Sequence, residues 1–294
     1  MNTVTSVEAV ADAVLYEGYM LYPYRTSSVK NRQRWTFGGL YPAAYSAECG
    51  DASGMHVEVL VLGPDPLIDA KVRFLHLAER DDGVQEAIPR EVAAGHFEFP
   101  RSTWDDDGAM RRQEALEGLV EVSAEMIGPE LHKVTVRVMN LSDFYLSQDM
   151  DRDEALLRAL VSTHAILRVS GGEFISLTDP PEAYREAAAS CHNEGVWPVL
   201  AGEEGSRDCI LASPIILYDY PQVAPESPGD LFDGAEIDEI LTLRIMTMTD
   251  AEKEEMRGVD ERTRRLLERT ESLSEEQLMK LHGVLRKPHA VGGL

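Results

Sequence analysis

The chain has 294 residues, and its 28 Lys and Arg against 52 Asp and Glu give a formal charge of −24. A field of that sign repels a phosphate backbone and an anionic membrane surface at long range, so neither is an expected partner, and no stretch approaches the roughly 18 apolar residues of a membrane span, so membrane insertion is not expected. With 44% apolar residues the acidity decorates a chain that can bury a core, which sets disorder aside as well.

The first predicted element is a short helix. Thr5 and Glu8 have the spacing of a capping box, and Val7, Val10, Val14 and Leu15 recur on one face up to Gly18. From Tyr16 to Tyr45 follow eight of the chain's twenty aromatics, together with the cations Arg25, Lys30, Arg32 and Arg34. Within this stretch Arg34 to Tyr41 reads as a strand with Gly38 and Gly39 as a bulge or close-approach site, stopped by Pro42. Tyr and Arg are the residue types that dominate interface hot spots. Tyr19, Tyr22, Tyr24, Arg25, Lys30, Arg32, Arg34 and Trp35 are therefore the candidate partner-binding residues. The competing reading makes the rings local core and sets the cations against the protein's own acids.

Beyond Met55 the apolar period becomes two. His56 to Leu62 and Ala70 to Leu77 read as strands joined by Gly63-Pro64-Asp65-Pro66, and Leu119 to Met126 with His132 to Met139 as a second such unit. Val134, Val136 and Val138 alternate with Lys133, Thr135 and Arg137, which gives that strand one buried and one wet face. Between Glu79 and Gly118 the composition predicts a mobile excursion with one short strand, His96 to Phe99. In the second half, helices are expected over Asp151 to Val161 and Thr178 to Ser190. Strands are expected at Ala165 to Val169, Glu173 to Leu177, Trp197 to Leu200 and Cys209 to Tyr218. Pro221 to Asp233 is a linker, Ile240 to Met246 a short strand, and Thr249 with Glu252 and Ser274 with Gln277 mark two more helix starts.

The expected fold is α+β: a mainly antiparallel β body, sandwich-like or an open barrel, with a short N-terminal helix and a C-terminal helical arm. Residues 1–220 form the body. Residues 221–294 form the linker, short strand and helical arm, whose narrow apolar stripe must pack on the body or on a partner.

Chemistry-bearing motifs are absent. Cys49, Cys191 and Cys209 have no spacing of a disulfide framework or a zinc site, and only Cys191-His192 with Cys209 offers a set that could converge on a metal. No metal and no cofactor is the expectation. There is no G-x-S-x-G, no P-loop and no G-x-G-x-x-G, and Ser213 is followed by Pro214. The start, Met1-Asn2-Thr3-Val4, lacks a signal-peptide pattern, so a cytoplasmic protein is expected.

Two stretches carry a resemblance. Tyr16-Glu17-Gly18-Tyr19-Met20-Leu21-Tyr22-Pro23-Tyr24-Arg25, continuing through Ser27-Ser28-Val29-Lys30-Asn31 to Arg34-Trp35-Thr36-Phe37-Gly38, is the first. Glu236-Ile237-Asp238-Glu239-Ile240-Leu241-Thr242-Leu243-Arg244-Ile245, with Thr249-Asp250 and Lys253, is the second. Both resemble a family of uncharacterised actinobacterial proteins encoded beside aerobic, high-affinity nickel-iron hydrogenases. The resemblance implies a non-enzymatic accessory or assembly factor whose partner is a hydrogenase subunit, and it carries over no catalytic residue. The alternative is a small-molecule or metal-handling enzyme with a pocket between sheet and helices.

Overall fold

The computed structural model describes residues 3–15, 37–106, 108–145, 152–222 and 248–257, with Arg264, Leu267, Glu268, Glu271 and Ser272. Its contacts divide the chain into two units, one of residues 1–19 and 34–222, the other of residues 20–33 and 223–294.

The first unit is built on two antiparallel sheets. One has the order β10-β1-β8-β7-β4, from β10 (Glu173–Ile175), β1 (Gly54–Leu62), β8 (Leu131–Asn140), β7 (Leu116–Gly128) and β4 (Gly95–Phe99). The other has the order β11-β12-β9-β2-β6-β5, from β11 (Trp197–Leu200), β12 (Cys209–Ser213), β9 (Val161–Ser170), β2 (Leu67–Arg80), β6 (Ala109–Gln113) and β5 (Ser102–Asp106). The strand β3 (Gln85–Ala93) also pairs with β2. Alternation turns Val57, Val59 and Val61 of β1 and Val134, Val136 and Val138 of β8 inward. There they meet Val72 and Phe74 of β2 and Ala165 and Leu167 of β9 in one core. The fold is α+β with a predominantly antiparallel β body, and both of its sheets contribute residues to one core.

The segment between Glu79 and Gly118 corrects the predicted excursion: it holds four strands, β3 to β6. Charged residues hide them from a hydropathy reading, because their outward faces are held by ion pairs such as Arg111–Glu86 at 2.7 Å and Arg112–Glu79 at 2.6 Å. Nor do β1 and β2 form a hairpin. Each pairs elsewhere, β1 with β8 and β10, β2 with β9 and β3, so the Gly63 to Pro66 loop crosses from one sheet to the other. Gly63 makes the crossing possible, since a Cβ there would stand 2.5 Å from the Gly171 carbonyl oxygen.

The predicted strand at Arg34 to Tyr41 is reduced, in its described part, to an isolated bridge between Leu40 and Leu160, followed by α2 (Ala43–Cys49). Gly38, with φ +52°, turns the chain out of strand geometry. The helix expected to Val161 is α3 (Arg152–Leu156), because Leu160 is already bridged and Val161 opens β9. That expected from Thr178 is a short 3-10 turn, Glu182–Tyr184, followed by α4 (Arg185–Ala189). Pro214 stops β12 at Ser213.

Helices cover parts of both outer faces. On the second sheet, α1 (Thr3–Leu15) buries Val7, Val10, Val14 and Leu15 over β9, β12 and β2, and Asp12 pairs with Arg73. On the first, α4 closes a small cluster of Leu60, Leu131, Ile175 and Ala188. In the second unit α5 (Asp250–Arg257) is described, with Lys253 and Arg257 both paired to Glu271 at 3.1 and 3.0 Å. The predicted strand Ile240 to Met246 and the helix start at Ser274 and Gln277 lie outside the described residues, while Arg264, Leu267, Glu268 and Glu271 are helical. No helix among the described residues is long and apolar enough to cross a membrane.

Candidate functional site

An acidic pocket of about 540 Å³ lies in the first unit. Its walls come from β4 (Glu98), the start of β7 (Glu114 to Glu117), the segment after β8 (Ser142 to Tyr145) and the α3 region (Glu154 and Arg158). Asn140, 2% exposed, sets the wall after β8. Its amide donates to the carbonyls of Leu40 at 2.8 Å and Arg158 at 2.7 Å, and its side-chain oxygen receives the Ser142 N–H at 2.9 Å. The Ser142 hydroxyl in turn accepts the Glu117 N–H at 3.0 Å, tying this segment to β7.

The pocket has a saturated floor and an open rim. On the floor the buried Glu114 carboxylate receives Arg158 at 3.0 Å, Arg112 at 3.1 Å and Arg101 at 3.5 Å. Arg112 also holds Glu79 at 2.6 Å and Glu154 at 2.9 Å. The hydrogen bond from Arg112 keeps the Glu154 carboxyl below the usual carboxylate range. On the rim Glu98 and Asp143 have no ion-pair partner among the described residues, and Glu117 faces His96 at 2.6 Å. Phe144 is backed by Tyr45, edge-on at 5.7 Å, while Tyr145 is 89% exposed. An aromatic ring beside unpaired carboxylates attracts an organic cation on two counts, by charge and by the ring face.

The predicted recognition residues Tyr19, Tyr22, Tyr24, Arg25, Lys30, Arg32, Arg34 and Trp35 all lie outside the described residues. The two ends of their segment are described. Val14 and Phe37 both bond to Ser162, whose hydroxyl donates to the Val14 carbonyl and whose N–H donates to the Phe37 carbonyl, each at 3.0 Å. Tyr41 and Tyr45, read with that segment, are 4% exposed and stack with centroids 5.2 Å apart, so these two rings are core. Burial, with Cys49 beside it, pushes the Tyr45 phenol up to about 12.

The set Cys191, His192 and Cys209 is not brought together. Cys191 packs beside α4 on the first sheet and Cys209 lies in β12 of the second, each pushed up to about 11 by burial, which makes both inert thiols. His192 instead contacts Glu194 at 2.7 Å, and its N–H donates to Glu58 at 2.8 Å. Among the described residues no three His, Cys, Asp or Glu side chains are placed to hold one metal ion.

Sequence reasoning missed the pocket because its residues come from four separated segments, none a motif. The one available signal was the density of acids and arginines between Glu79 and Glu117. The chain matches no protein-family model and no curated protein.

Proposed function

We propose that the chain is a non-enzymatic binding protein, an accessory factor that serves a nickel-iron hydrogenase by docking a basic segment of its partner. The observation that carries the binding reading is the acidic pocket, whose inner carboxylate is already neutralised by three arginines while Glu98, Asp143 and Tyr145 stand open at its mouth. A floor locked in this way is preorganised and leaves only the rim to engage a cation. A Lys or Arg side chain of a protein suits a pocket of this size, with its stem along Leu116 and Phe144 and its head between the rim acids. The hydrogenase as client rests on the resemblance of residues 16–38 and 236–253. Tyr19 to Trp35 and the C-terminal arm are the proposed further contact elements.

Tagged purification from the native host, followed by mass spectrometry of what accompanies the protein, tests the reading. A hydrogenase subunit should be recovered, and Asp143→Asn with Tyr145→Ala should lower its recovery about tenfold, since losing an interface hot spot costs about 2 kcal/mol or more while an exposed side chain changes stability by under about 0.5 kcal/mol. Undiminished recovery would remove the pocket from the interface. Recovery of no partner at all would overturn the binding function.

A further inference from the structure

Strand β7 is 13 residues long, yet β4 pairs only with its first part, Gly95 to Phe99 lying opposite Val120 to Leu116. From Glu121 onward β7 is the edge of the first sheet. The Leu141 N–H donates to the Glu117 carbonyl at 2.9 Å, which fixes the alternation along the strand. Main-chain groups of Glu121, Ser123 and Glu125 turn toward β8, and those of Val122, Ala124 and Met126 turn outward. No main-chain hydrogen bond meets these outward groups among the described residues.

The side chains tell the same story on both faces. Val122, Ala124 and Met126 share the inward face with the buried Leu116 and Val120, but Ala124 is exposed and Met126 is 67% exposed. On the other face Glu121 and Glu125 stand opposite Arg137 and Lys133. Those cations lean away, Arg137 to His56 at 3.4 Å and Lys133 to Glu58 at 3.3 Å. Glu121 and Glu125 are left without an ion-pair partner among the described residues.

We infer that this half of β7 is a strand-addition site for an extended segment of a partner protein in which apolar residues alternate with Lys or Arg. An added strand would complete the outward main-chain bonds, lay its apolar residues beside Val122, Ala124 and Met126, and set its cations beside Glu121 and Glu125. The inference rests on the reading of the chain as a binding protein. A second copy fits poorly. Antiparallel pairing of two such edges about Ala124, the register that joins all three outward residues, sets Glu125 against Ser123 and brings no cation to Glu121 or Glu125, so the charge on this edge stays unmatched.

The test uses the full chain and two capped heptapeptides, Lys-Val-Lys-Val-Lys-Val-Lys and its twin with Glu for Lys. Fluorescence anisotropy should show saturable binding of the basic peptide at least tenfold tighter than its twin, and hydrogen exchange should slow at Val122, Ala124 and Met126. Ala124→Pro removes an outward N–H and leaves the ladder to β8 intact, so it should weaken binding at least tenfold at an unchanged denaturation midpoint. Glu121→Lys with Glu125→Lys should transfer the preference to the acidic peptide, which keeps the test decisive if the proline variant does not fold. Equal binding of both peptides, no slowed exchange in β7, or a dimer in sedimentation that Ala124→Pro abolishes would each overturn the inference. A native partner recovered equally with wild type and Ala124→Pro would overturn this edge alone. Absence of any partner from wild type would count instead against the binding function.

Discussion

The Ser162 hydroxyl donates to the carbonyl of Val14 at 3.0 Å, and the two residues are separated by more than half of the chain. Through its N–H the same serine holds Phe37, so the described residues on either side of the Tyr19 to Trp35 segment meet at one residue. Ser162 does this with φ +53°, a left-handed conformation that is costly for a non-glycine residue. Ser162→Ala should cost about 1 kcal/mol, the worth of one hydrogen bond with a buried acceptor left over, and should lower partner recovery beyond the loss of folded protein. Chemical denaturation alongside pull-down measures both. Recovery that merely tracks stability would separate the anchor from binding.

Arg25→Ala, Lys30→Ala and Arg32→Ala test the recognition residues themselves. Partner recovery should fall by about tenfold in the combined variant, with a midpoint shift below about 0.5 kcal/mol for each change. Arg137→Ala, exposed on β8, is the control. A sharply lowered midpoint with normal recovery per folded molecule would make these cations internal structure.

Glu114→Ala should be the most damaging single change in the pocket. It strips the charge that Arg101, Arg112 and Arg158 share, and its cost should lie between an exposed pair at below about 1 kcal/mol and a buried one at about 3 to 5, near 2 kcal/mol. Urea melts of Glu114→Ala and Glu114→Gln compare loss of charge with loss of the side chain. Wild-type stability in both would mean that the network holds nothing in place.

Two buried histidines set an acid limit. Burial first, and the charge of Arg90 second, lowers His76 to about 4, and burial lowers His164 to about 4. The unfolded chain takes up these protons near 6.5 and the folded chain does not. The stability that neutral rings confer is therefore complete above about pH 6.5 and declines as pH falls toward 4, by up to about 1.4 kcal/mol per pH unit for each ring. Denaturant midpoints from pH 7 to 4 should show this slope, and His164→Leu should reduce it by about half. A flat profile would place the protons elsewhere.

Gly63→Ala probes the sheet crossing. The added methyl meets main-chain atoms, the Gly171 oxygen at 2.5 Å and Gly172 Cα at 2.8 Å, so the crossing must shift at a cost of about 1 to 3 kcal/mol. Gly83→Ala serves as the comparison, because its Cβ would meet nothing within 4 Å although its φ of +81° carries its own strain. Calorimetry should rank Gly63→Ala as the more damaging.

What was legible in the sequence follows from how each element is stabilised. Strands β1, β2, β7 and β8 alternate because one face enters the core, and Val134, Val136 and Val138 announce that face directly. The strands β3 to β6 stayed hidden because residues such as Arg90, Arg111 and Arg112 sit among them, held by Gln113, Glu86 and Glu79 rather than by apolar burial. Pairing was harder to read than the strands. Gly63-Pro64-Asp65-Pro66 has the composition of a turn whether it closes a hairpin or crosses between sheets, and only the contact with Gly171 and Gly172 decides. For the pocket, Glu98, Glu114, Asp143 and Arg158 are too far apart in the chain for spacing to carry any signal.

The sheet pairings also govern how the chain is made. Lys71 of β2 finds its partner Ile166 on β9 about a hundred residues later, and Leu60 of β1 waits still longer for Ile175. At a synthesis rate of about 5 to 20 residues per second, Val72 and Phe74 emerge some 5 to 20 seconds before the strand that completes their cover. Local pairings with β3 and within the β7–β8 hairpin can form during that interval, but the core cannot close until β9 has left the ribosome. Folding of the finished chain belongs to the slow, non-local class of milliseconds to seconds. A cell that makes this protein must shelter two half-built sheets from aggregation for the length of its own translation.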